Sequence, residues 1–152
     1  MTKKKTCQKT LKDKVTLDGV GLHTGISVKI TFKPAPVNTG FVFVRTDLKP
    51  VVEIPADVQY VTNTDRGTNL EKDGAKIQTS EHVLASLVGM GVDNCYIELD
   101  SAESPIMDGS SKFLFECKRD LSSFSGANEL SCNRLYIKYN TAMLPKVNPV
   151  PK

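Results

Sequence analysis

The chain has 152 residues, 39% of them hydrophobic and 24% charged, with a formal net charge of +3. That length holds one ordinary domain, which buries roughly two thirds of the surface of its unfolded chain, and the composition excludes disordered and fibrous classes. The positive excess sits in Lys3-Lys4-Lys5 and toward the carboxyl end rather than along a central stripe, which makes no case for a nucleic-acid partner.

Residues 1–9 read as a flexible amino terminus. Lys3-Lys4-Lys5 would suit the start of a signal peptide, but Thr6-Cys7-Gln8-Lys9-Thr10 stands where an apolar run of about seven residues or more is required. No stretch approaches the ~18 apolar residues of a membrane span, so no transmembrane segment is expected. Cys7, Cys95, Cys117 and Cys132 contain no C-x-x-C pair, which fits reduced thiols, with Cys95 among apolar neighbours as a small core residue. The expected location is the cytoplasm.

Residues 10–18 read as a first strand. Gly19-Val20-Gly21-Leu22-His23-Thr24-Gly25 follows as a glycine-rich turn into Ile26–Phe32, whose apolar and polar residues alternate at the period of a half-buried strand. Pro34, Pro36 and Asn38-Thr39-Gly40 turn the chain into a strand at Phe41–Arg45. Strand-like stretches at Val51–Ile54 and Ala56–Val61 precede the polar loop Thr62–Gly67. A hairpin then pairs Thr68-Asn69-Leu70 with Ala75-Lys76-Ile77 across the turn Glu71-Lys72-Asp73-Gly74. Thr79 or Ser80 caps a helix whose apolar stripe is Val83, Leu84, Leu87 and Val88 and whose end is Gly89-Met90-Gly91.

A strand over Val92–Asp100 places Cys95, Ile97 and Leu99 on one face, and after the loop Ser101–Gly109 a second helix begins near Ser110. The resulting fold class is α+β, a mostly antiparallel sheet with two helices packed on one face, over residues 10–120. Residues 121–152 read as an irregular tail: Ser122–Asn128 has linker composition, Arg134–Tyr139 suits one strand, and Pro145, Pro149 and Pro151 exclude regular structure at the end.

Only two histidines exist, His23 and His82. His82 follows Glu81 in the first turn of the predicted helix, where backbone N–H groups and the helix dipole favour a carboxylate. A catalytic zinc takes three protein ligands and one water, whose pKa falls to about 7, and a neighbouring carboxylate can take that water's proton. Side chains on adjacent helical residues diverge by about 100°, so Glu81 and His82 can serve as base and ligand without competing. The structural alternative stays open, since Glu in a first helical turn is common and His23 between glycines could equally orient a loop. The i, i+4 partners that would complete a compact metal face are missing: Ser27 lies four residues after His23 and Ser86 four after His82.

Four segments in order carry a resemblance: Gly19–Gly25, Thr64-Asp65-Arg66-Gly67-Thr68, Thr79-Ser80-Glu81-His82 with its helix and Gly91-Val92-Asp93-Asn94, and Pro105-Ile106-Met107-Asp108-Gly109-Ser110. Together they resemble the UDP-3-O-acyl-N-acetylglucosamine deacetylases, zinc hydrolases of lipid A synthesis in Gram-negative bacteria, over about residues 10–116. Arg66-Gly67-Thr68 looks most like the Bacteroidetes branch of that family, whose members are often fused to a hydroxyacyl-carrier-protein dehydratase.

The resemblance implies Glu81 as general base and His82 as the first zinc ligand, with Leu22, His23, Thr64, Arg66, Gly67 and Thr68 on the substrate side. Asp108 and Gly109 form a structural turn. It further implies a fold of two similar α+β halves, in which an H-x-x-x-D helix and a further catalytic His come from the second half, and this sequence has no residues to match them. Zinc is therefore the expected cofactor with its site incomplete here. The expected partners are UDP-3-O-acyl-N-acetylglucosamine and a missing second domain. The chain alone reads as a truncated, inactive half, and the alternative is a non-catalytic interaction module or remnant domain.

Overall fold

The computed structural model describes residues 8–64, 67–107 and 109, together with the backbone of residues 137–139. The alternating stretch predicted around residues 26–32 forms strand β3 (Ser27–Pro34), with Val28, Ile30 and Phe32 buried. Its antiparallel partner β2 (Val15–Val20) sets Val15, Leu17 and Gly19 opposite Phe32, Ile30 and Val28, so the two strands share one inward face. The expected strand over residues 10–18 is in fact two, because exposed Lys12-Asp13-Lys14 separates β1 (Lys9–Leu11) from β2. Gly19 and Val20, expected in the turn, end β2.

Strand β9 (Cys95–Leu99) is central. It runs antiparallel to β3 and parallel to β4 (Phe41–Arg45), which pairs in turn with β5 (Val52–Pro55), giving the order β2-β3-β9-β4-β5. The sheet is thus mixed rather than antiparallel throughout, because a helix-bearing crossover separates β4 from β9 and permits the parallel pairing. Cys95, Ile97 and Leu99 are all fully buried on one face, the expected face, and each aliphatic side chain so placed stabilises the fold by about 1.5–3 kcal/mol. The same burial pushes the Cys95 thiol up to about 12.

The stretch Ala56–Val61 is not a strand. Asp57 accepts a hydrogen bond from the Gln59 N–H through its own side chain and opens a 3-10 turn at Val58–Tyr60, the kind of local competition by which Asp displaces regular structure. Three short strands follow, β6 (Val61–Asn63), β7 (Asn69–Lys72) and β8 (Ala75–Ile77), in one antiparallel sheet. The hairpin turn is tighter than predicted: only Asp73 and Gly74 lie in it, at φ 50 and 76, the left-handed pair of a two-residue turn.

Helix α1 (Glu81–Gly89) buries Val83, Ser86 and Leu87. Val88, assigned to the apolar stripe, is 63% exposed, since the face turned to the core runs through i, i+3 and i+4 from Val83 rather than i+5. The end falls as predicted. Gly91 at φ 70 donates to the Val88 carbonyl and Val92 to the Leu87 carbonyl, a Schellman arrangement with Leu87 and Val92 both in the core. That core joins one face of the five-stranded sheet to α1, β7 and β8. The fold is α+β with mostly sheet and, among the described residues, one helix. The second helix expected near Ser110 lies outside the described residues, as does most of the 121–152 tail, although the backbone of β10 (Ile137–Tyr139) pairs antiparallel with β1. No helix among the described residues is long and apolar enough to cross a membrane.

Candidate active site

The start of α1 is built from two strained or crowded residues. Thr79, buried, has φ 56, a left-handed conformation that a β-branched side chain rarely adopts. Ser80 takes the N-cap position, one of the two expected, but its side chain makes no capping bond. Ser80 instead directs both its N–H and its hydroxyl to the Thr68 carbonyl, at 3.2 and 2.9 Å. The physical reason is reach: with Thr79 kinked, the Ser80 hydroxyl faces the loop before β7 and not the first helical turn.

That loop also meets the carboxylate of Glu81. The Thr68 N–H donates to Glu81 Oε2 at 2.9 Å. Gly67, at φ 142, lies so close that a Cβ there would stand 3.1 Å from Glu81 Oε1. Gly67 and Thr68, two of the residues expected on the substrate side, are therefore brought together with Glu81, whose carboxylate is aimed by a backbone donor. Glu81 and His82 are both half-buried in the first turn of α1. Thr64 is exposed at the end of β6, and Arg66 lies outside the described residues.

The glycine-rich segment reaches the same region by a different route. His23 and Leu22 are exposed in the turn between β2 and β3, and the His23 and Thr24 N–H groups donate to the two oxygens of Glu103, each at 2.9 Å. The Thr24 hydroxyl adds a bond at 2.7 Å and the Thr79 hydroxyl one at 3.3 Å. Burial pushes the Glu103 carboxyl up, but the donors from His23, Thr24 and Thr79 outweigh it and hold the group below the ordinary glutamate value. Gly21 packs against this carboxylate, where a Cβ would collide with Glu103 and the Thr24 hydroxyl.

Glu103 was missed by sequence reasoning, which placed it in the featureless loop Ser101–Gly109. A single acid between serine and alanine carries no local signal, since its donors come from about 24 and 80 residues away. The loop itself is ordered by bridges from Glu103 to Gln78 and from Pro105 to Gly21. Further on, the Gly109 N–H donates to the Ile106 carbonyl at 3.0 Å, closing a turn in which Met107 and Gly109 have φ 56 and 80. Asp108 lies outside the described residues.

Among the described residues no group of three or more His, Cys, Asp or Glu side chains is placed to hold a metal ion. His82 is one imidazole donor beside a carboxylate already engaged by Thr68, and a catalytic zinc needs three protein ligands. The described residues do not make a zinc site by themselves.

The sequence model of the UDP-3-O-acyl N-acetylglycosamine deacetylase family matches residues 8–141, running past Glu116, where the resemblance was expected to end. Among curated proteins, the UDP-3-O-acyl-N-acetylglucosamine deacetylase of Chromohalobacter salexigens is 55% identical over 103 residues, covering 68% of this chain and 34% of the relative. Its counterpart from Hahella chejuensis is 58% identical over 103 residues, with the same coverage. That of Xanthomonas campestris pv. campestris is 58% identical over 106 residues, 70% of this chain and 35% of the relative. The chain thus spans about a third of the length of these relatives.

Proposed function

The chain belongs to the UDP-3-O-acyl N-acetylglycosamine deacetylase family, and on that footing we propose that it supplies one part of the machinery that hydrolyses the acetamide of UDP-3-O-acyl-N-acetylglucosamine in lipid A biosynthesis. The observation that carries the proposal is the convergence of Gly67 and Thr68 on the Glu81 carboxylate at the helix start, next to His82. In this reading Glu81 is the general base. Its Oε2 is oriented by the Thr68 N–H, which leaves Oε1 to take a proton from the attacking water as the C–O bond forms. The C–N bond then breaks as a group of the second domain gives a proton to the leaving nitrogen, yielding acetate and a free amine. His82 is a zinc ligand. Zinc would supply a water acidified to a pKa of about 7, with its other protein ligands drawn from a second domain. His23, Leu22 and the Thr64–Thr68 loop, including Arg66, lie on the substrate side, and Asp108-Gly109 serves as a structural turn. The buried free thiol of Cys95 supports a reducing, cytoplasmic setting.

Two assays test this. Purified 1–152 is expected to release no acetate from the substrate, because it offers a base and one ligand only. Zinc-dependent release abolished by Glu81→Ala would overturn that. Grafted in place of the aligned 103 residues of the Hahella chejuensis relative, this chain's segment should support turnover. Glu81→Gln should then lower kcat by about 100-fold or more, and His82→Ala should lower the bound zinc. A grafted enzyme indifferent to both substitutions rules out the assigned roles.

A further inference from the structure

We propose that Glu103 is a positioning residue, a buried anchor that ties the His23 turn to the kinked Thr79 and thereby aims the start of α1 at the Gly67-Thr68 loop. The significance of this anchor rests on the reading of Glu81 and His82 above. Three observations carry it. Glu103 is fully buried, and a buried carboxylate persists only where its oxygens are satisfied. Its two oxygens accept four donors from two segments far apart in the chain: the N–H groups of His23 and Thr24 and the Thr24 hydroxyl on one side, and the Thr79 hydroxyl on the other.

The third observation is the backbone of Thr79. A threonine at φ 56 is strained and survives only where its surroundings over-determine it. Here the surroundings are specific. The hydroxyl of Thr79 is held by Glu103, the next residue is held by its N–H and hydroxyl on the Thr68 carbonyl, and the residue after that, Glu81, accepts the Thr68 N–H. The links form one unbroken chain, from His23 through Glu103 and Thr79 to Glu81. Gly21 completes it by omission, since only a residue without a Cβ lets the turn approach the carboxylate.

The test is hydrogen exchange and amide chemical shifts on the ¹⁵N-labelled 152-residue chain, comparing Glu103→Gln with Ile97→Val, a control that lowers stability from within the core. Glu103→Gln presents an amide to donors that need an acceptor. The His23 and Thr24 amides are expected to exchange about tenfold faster or more, and the Thr68 and Glu81 amides to shift, while Ile97 and Leu99 keep their protection. Ile97→Val should leave the Thr68 and Glu81 shifts in place. If Glu103→Gln does not fold, Thr79→Val, which keeps the shape and removes the hydroxyl, should produce the shifts at His23, Thr24 and Thr68. Unchanged Thr68 and Glu81 shifts in whichever of the two variants folds overturn the proposal. The Thr68 amide reports its contact with the Glu81 carboxylate whether or not Glu81 proves to be the base, so failure of the catalytic roles would appear in acetate release and failure of the anchor in the spectra.

Discussion

At the scale of single residues, position in space decides what each side chain can do. Glu81 is an ordinary first-turn glutamate until the Thr68 N–H and the bare Cα of Gly67 close on its carboxylate. Gly67→Ala should therefore act twice. A Cβ at φ 142 is strained by about 1–3 kcal/mol, and it would press on Glu81 Oε1. We expect a loss of stability of that order in urea denaturation, together with a displaced Thr68 amide resonance. A stability change within ~0.5 kcal/mol and an unmoved resonance would mean that the loop does not hold the carboxylate. The position of Glu81-His82 at a helix start was legible in the sequence, because the apolar spacing of Val83, Leu84 and Leu87 and the stop at Gly91 frame that helix. Glu103 was not, because nothing within its own loop reveals that its partners lie in two other segments.

At the scale of elements, periodicity located β3, β9 and the body of α1, since each repeats its apolar residues at the spacing of its own backbone, and the turn residues Pro34, Pro36 and Asn38-Thr39-Gly40 located β4. It misjudged what local polar side chains do. Asp57 turned an expected strand into a 3-10 turn, and Lys12-Asp13-Lys14 split another. The helix end shows the opposite case, a stop signal that worked because Gly91 takes the left-handed position that closes the last turn. A Cβ at Gly91 meets nothing nearer than Lys9 Nζ at 3.9 Å, so the cost of Gly91→Ala is purely that of the backbone, about 1–2 kcal/mol. Gly91→Asn, better tolerated there, should cost less. Thermal melts that rank the two variants in the reverse order would show that packing rather than φ governs this cap.

At the scale of the whole molecule, one core unites the mixed sheet, α1 and the small hairpin sheet, and two carboxylates give it a pH dependence of defined sign. The Arg45 guanidinium bonded to Asp47 holds that carboxyl below its ordinary value of 3.8, despite partial burial, and Glu103 is held below its ordinary 4.5. A carboxyl whose folded value is depressed stabilises the fold above its unfolded value, and that contribution is lost as pH falls through the folded one. Stability should thus hold above the ordinary carboxylate range, about 4–5, and decline as pH falls below it. Asp47→Asn should flatten part of that decline in denaturation curves taken across pH. An unchanged acid limb would show that the Arg45 pair contributes nothing to it.

What the sequence by itself determined was the α+β class of fold and the identity of the family. Those follow from composition, from repeat spacing along one strand or helix, and from four short segments in a fixed order, all of which are properties of neighbours in the chain. The tertiary structure alone decided that β9 lies parallel to β4, that Thr79 is kinked rather than capping, and that the His23 turn and the start of α1 meet on Glu103. Each of these depends on groups tens of residues apart satisfying one another's hydrogen bonds and sharing one core, and such pairings are selected by the energy of the folded chain as a whole, which local pattern does not encode.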